Sequence, residues 1–144
     1  MMKRFNFWVP LTLFTLSCLF ALYAVFFEVS YLDYPVQPFP IIAQPIKPGD
    51  VILMWVTRCN SSDSVKTYKI THIIKNISTG KTYLLPDVEI TIEAARCITD
   101  TSLIHIAPKS LENGLYQVFG EAHTNGIIRK FHVKYWSGIF EVKK

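Results

Sequence analysis

From Phe7 to Phe27 the chain reads FWVPLTLFTLSCLFALYAVFF, 21 residues without a charge, and no other feature limits its fold so tightly. A helix of that length rises about 31 Å, close to the thickness of a bilayer's hydrocarbon core. The run therefore predicts one membrane-spanning helix over residues 7–27. Pro10 falls in its first turns, where a missing N–H is tolerated. Phe5, Phe7 and Trp8 at one end and Tyr31 and Tyr34 at the other fit the aromatic belts of a membrane interface.

A cleavable signal peptide is the competing reading. Its apolar region is shorter and ends at small residues, whereas Leu22 stands three positions before a cut after Ala24, and nine apolar residues follow Cys18. Lys3 and Arg4 precede the run, while Glu28 and Asp33 follow it and the next basic residue is Lys47. The positive-inside rule then keeps residues 1–6 in the cytoplasm and exports the remainder. In that compartment Cys59 and Cys97, the pair outside the helix, are expected to form a disulfide, two free thiols being the alternative. The formal charge of +4 is scattered, with a mild cluster at Arg129, Lys130, Lys134, Lys143 and Lys144 that alternation assigns to a solvated strand face. No nucleic-acid partner is expected.

Residues 28–48 carry five prolines between Tyr34 and Pro48, which forbid helix and central strand. The segment reads either as a semi-rigid stalk or, over Phe39–Ala43, as an edge strand. Residues 49–144 form the exported domain. After the turn at Pro48, Gly49 and Asp50, short β-rich runs recur between turn signals: Val51–Cys59, Thr67–Asn76, Thr82–Leu85, Glu89–Ala94, Leu103–Ala107, Gly114–Ala122 and Ile127–Tyr135, with Phe140–Val142 as a terminal strand or a continuation. The first, near-continuously apolar, is expected to be buried on both faces, and Cys97 is expected in a loop. Asn125 and Gly126 predict a tight hairpin, and Leu111–Gly114 a short helical turn. The fold class expected is all-β, a sandwich preceded by a single transmembrane α-helix.

Leu111, Gly114, Tyr116 and Val118 resemble the approach to the penultimate strand of immunoglobulin-like and fibronectin-like sandwiches, and the likeness implies that the Tyr116 hydroxyl returns to backbone a few residues upstream. The immunoglobulin disulfide would need a cysteine at Val118, so any Cys59–Cys97 bridge is a different one. The whole chain also resembles small, mostly uncharacterised membrane proteins of tailed bacteriophages. The likeness rests on PGDV at Pro48–Val51, Arg58 with Cys59, LPD at Leu85–Asp87, a second cysteine, Gly114 with Tyr116, and FEV at Phe140–Val142. It implies a phage-encoded protein of the bacterial inner membrane with a periplasmic domain, and no established activity.

The chemistry-bearing residues form no recognised constellation. His72, His105, His123 and His132 lie on four predicted strands without metal-ligand spacing, so no metal or cofactor is expected, although cross-strand pairing remains a route to a functional pair. There is no G-x-S-x-G nucleophile; Ser61, Ser62 and Ser64 cluster in a loop; Asp87, Glu89 and Glu93 are near one another only in sequence; and the glycines stand singly, without a phosphate loop. Asn60 and Asn76, in N-x-S contexts, read as polar loop residues. No enzyme and no small-molecule substrate are expected, a wall-active enzyme being the least favoured alternative. An aromatic set, Phe119, Tyr135, Trp136 and Phe140, is either an interaction patch for an envelope or phage protein or is buried against the Pro-rich segment. Thr12, Thr15, Cys18, Ala21 and Ala24 form a small-residue line on the helix, the feature that would favour a structural subunit of a membrane or virion assembly.

Overall fold

The structure is a computed structural model and describes residues 8–26, 30–125 and 130–144, with the side chains of 24, 26 and 102–104 outside that set. The basic tail, Glu28 and the turn at Gly126 therefore lie outside the described residues. Helix α1 spans Trp8–Phe26, 19 residues. Apolar side chains are exposed all along it, among them Trp8, Phe14, Leu19 and Val25. Among the described residues no helix is long and apolar enough to cross a membrane; described side chains on α1 run unbroken only over 8–23.

Among the described residues nine strands follow: β1 Leu32–Asp33, β2 Val51–Asn60, β3 Lys66–Asn76, β4 Thr82–Leu84, β5 Val88–Ile92, β6 Arg96–Ile106, β7 Gly114–Asn125, β8 Lys130–Trp136 and β9 Phe140–Val142. They make two antiparallel sheets, consistent with an all-β sandwich. The smaller has the order β1-β2-β6. In the larger, β4-β3-β7-β8 form the main path, β5 joins β3, and β9 joins β7. Period-2 alternation turns one face of each sheet inward. The core combines Ile52, Met54 and Val56 of β2, Ile70 and Ile74 of β3, and Tyr116 and Val118 of β7.

Several local expectations change. β2 alternates rather than being buried on both faces: Val51 and Trp55 are exposed, on the side of the smaller sheet turned away from Ile52, Met54 and Val56. Cys97 lies in β6, directly opposite Cys59 on β2, and the two form a disulfide with Cα atoms 4.0 Å apart. Closing 38 residues, this bridge contributes about 4 kcal/mol in the chain-entropy model. Tyr34 does not reach an interface; it is buried against Tyr135, with ring centroids 4.4 Å apart.

The Pro-rich segment is laid along the domain as a strap. Phe39 N–H donates to Trp136 C=O (3.0 Å) and Ile46 N–H to Glu141 C=O (2.9 Å) on the larger sheet's side. Ile42 N–H donates to Leu53 C=O and Trp55 N–H to Pro40 C=O on β2. Phe39 and Ile46 are buried beneath it. Prolines suit such a path, since it needs few N–H donors and a fixed extended backbone. Asn60 and Asn76 are buried rather than loop residues. The Asn60 amide donates to the carbonyls of Ser64, Ile92 and Glu93, while its oxygen accepts from Ser62 N–H and the Tyr68 hydroxyl.

One glycine is required by packing. Gly120 on β7 stands in register between His72 on β3 and Tyr135 on β8, and the Tyr135 ring lies over it, its hydroxyl hydrogen-bonded to His72 Nε2. A Cβ at Gly120 would overlap that ring. Gly120→Ala is therefore expected to cost about 1–3 kcal/mol in chemical denaturation, as overpacking does. A variant as stable as wild type would show that the ring does not rest there.

Candidate functional site

The larger sheet's outward face is ordered as cross-strand rungs. Alternation along β3, β7 and β8 places Ile73, Phe119 and Trp136 on one rung, Thr71, Glu121 and Lys134 on the next, and Lys69, His123 and His132 on the third. The apolar rung and its neighbours, with Gly120 between them, line an open groove of about 440 Å³. Trp136 is 43% exposed at its wall.

The expected aromatic patch divides across the sheet. Phe119 and Trp136 face outward, but Tyr135 and Phe140 are fully buried and are not part of a contact surface. Adjacent residues on a strand point to opposite faces, which separates Tyr135 from Trp136. Tyr135 packs on Tyr34 and Phe39 of the strap (centroids 4.4 and 5.2 Å), while Phe140 sits near Tyr116 at 6.2 Å. The Tyr116 hydroxyl donates to the Glu112 carbonyl at 2.9 Å.

The four histidines fall into two pairs that sequence spacing did not reveal. His123 and His132 are direct cross-strand partners, their rings edge to face at 4.9 Å. His132 Nδ1 is 2.7 Å from Glu121 Oε1, and donor atoms of Glu121, His123 and His132 all lie within 4.8 Å of one another. These are two imidazoles and a carboxylate, a donor set suited to a transition metal. Beside them, Lys69 is ion-paired to Asp87 at 2.8 Å, and this partner followed by the Thr71 hydroxyl holds the Asp87 carboxyl below its ordinary range. The cluster lies near the start of the domain: His123, Thr124 and Asn125 line a depression together with Tyr31, five residues past the end of α1.

The second pair is inside. His72 of β3 and His105 of β6 meet between the sheets with centroids 4.3 Å apart. Burial, then the neighbouring His105, pushes the His72 imidazole down from 6.5 to about 3; burial also lowers His105. Arg58, buried on β2, is paired with Asp100 at 3.0 Å and lies close enough to Tyr34 and Tyr135 to oppose the rise that burial imposes on both phenols. The serine and carboxylate candidates assemble into nothing comparable. Ser62 and Ser64 bond to each other at 3.2 Å, Glu93 pairs with Arg96, and Glu89 stands opposite Lys69 in register.

A histidine held neutral in the folded state gives a defined pH response. Below 6.5 the unfolded chain takes up a proton that folded His72 refuses until pH nears 3, so its contribution is complete above 6.5 and is lost as pH falls toward 3; the lowered His105 acts in the same direction. At pH 5, His72 alone accounts for a loss of about 2 kcal/mol. Unfolding free energy measured from pH 7.5 to 4.5 is expected to decline accordingly, with a shallower slope in His72→Gln; equal slopes would show that His72 is not buried neutral.

Compared with known proteins, the chain matches no protein-family profile and no curated protein sequence, so the functional argument rests on the geometry above.

Proposed function

We propose that the protein is a membrane-anchored, non-enzymatic interaction module. α1 holds an immunoglobulin-like β domain at the bilayer, and the groove walled by Trp136 and Phe119 docks a protein partner. The observation that carries this reading is the groove itself: an exposed tryptophan and a half-buried phenylalanine beside an open apolar hollow, the composition of an interface hot spot. The anchor is supported by α1, whose apolar residues are spread around its axis without a polar face. Such a helix needs lipid or protein on all sides. Its 19 residues rise about 28 Å, and the flanking charges support a domain held outside the cytoplasm, for which the resemblance to phage membrane proteins suggests the bacterial periplasm. The Cys59–Cys97 disulfide suits that oxidising compartment. The Tyr116 bond to Glu112 supports the immunoglobulin-like assignment, and the resemblance to phage membrane proteins points to an envelope or phage component as partner.

The alternative, a structural subunit assembled through the small-residue line of α1, has less support. The Thr12 hydroxyl bonds to the carbonyls of Trp8 and Val9, and that of Thr15 to Leu11, each at 2.9 Å. These groups are satisfied within the helix.

Crosslinking in bacterial cells expressing the full chain, followed by affinity capture and mass spectrometry, tests the proposal. One envelope or phage protein should be enriched by wild type and reduced about 30-fold by Trp136→Ala, in keeping with an interface hot spot. Capture of the same protein by a chain truncated after α1 would instead assign the contact to the anchor and sink the docking reading.

A further inference from the structure

We propose that Glu121, His123 and His132 form a zinc(II) site on the outer face of the larger sheet. This inference does not depend on the docking reading, because it concerns a different ligand and shares only Glu121 with the groove.

The argument begins with the backbone. β7 pairs with β3 on one side and β8 on the other, so His123 and Glu121 project from the interior of a sheet rather than from a loop. His132 stands directly opposite His123, and Glu121, two residues before His123, shares its face. Three strands in register thus fix the bases of all three ligands, and only side-chain torsions remain to be set. Donors around a tetrahedral zinc ion with bonds of about 2.0–2.2 Å lie about 3.3 Å apart. Here all three lie within 4.8 Å of one another, with Glu121 Oε1 and His132 Nδ1 at 2.7 Å. Shifts of about 1 Å at the ends of accessible side chains close that difference. Two imidazoles and one carboxylate make a common zinc donor set, with the fourth position left to water or an outside ligand.

The surroundings set the strength. Lys69 and Lys134 occupy neighbouring positions on the same face and oppose a dication. Lys69 is neutralised by Asp87 at 2.8 Å, and Asp87 is near enough to His123 for their charges to interact. With one anionic ligand and an open, solvated position, affinity on the order of micromolar is expected rather than the far tighter binding of closed structural sites. Because Glu121 also lines the groove, a bound ion sits at the groove's rim.

Zinc titration of the full-length protein in detergent, by competition with a chromogenic chelator, tests the site. Saturation at one ion per chain is expected, with the imidazole resonances of His123 and His132 shifting while those of His72 and His105 stay in place. His123→Ala, His132→Ala and Glu121→Gln should each weaken binding by about tenfold or more, while Lys75→Ala leaves it unchanged. Far-UV circular dichroism on each variant separates lost ligands from lost fold. Absence of saturable binding up to about 1 mM zinc would overturn the proposal, as would binding that survives the three ligand substitutions.

Discussion

Tyr135 laid across Gly120, with its hydroxyl on His72, is the contact on which the domain's arrangement turns. One side chain from β8 crosses β7 at Gly120, which has no Cβ, and bonds to β3, tying three strands together through the interior. Tyr34 and Phe39 then pack on the same ring, which brings the Pro-rich strap onto the sheet. His105 meets His72 from the opposite sheet. The layer between the sheets is accordingly aromatic and polar at this point, and its imidazoles are held neutral because burial penalises their charged form.

The same contact decides what the protein displays. With Tyr135 inward, alternation along β8 sends Trp136, Lys134 and His132 outward, opposite Phe119, Glu121 and His123 of β7. The apolar groove and the histidine–glutamate cluster are thus two ends of one face, set by one register. The Cys59–Cys97 disulfide constrains the other sheet, on the outward side of β2 and β6, and leaves this face untouched.

Much of the β framework was legible in sequence, because turn residues and alternation carry it. Thr67–Asn76 and Gly114–Ala122 agree with β3 and β7 to within a few residues, and the Cys59–Cys97 pairing followed from the lack of another cysteine outside α1. The uniformly apolar run at Val51 hid its own alternation, since Val51 and Trp55 on the outer side are as hydrophobic as Ile52 and Met54 inside. The strap was ambiguous because prolines forbid structures without selecting a path. The candidate site was the least legible part. His123 and His132 are nine positions apart and meet only through hairpin register, and His72 and His105 meet only because two sheets face each other. One available signal was missed: period-2 alternation alone separates Tyr135 from Trp136.

The inward Tyr135 and outward Trp136 can be tested directly by single-cysteine substitution at each position from 131 to 136 in a Cys18→Ser background, with labelling by a water-soluble maleimide under native conditions. The account predicts rapid labelling at 132, 134 and 136 and protection at 131, 133 and 135, with 135 the slowest. Labelling that is uniform along the strand, or strongest at the odd positions, would contradict it, and with it the face that carries both the groove and the proposed zinc site.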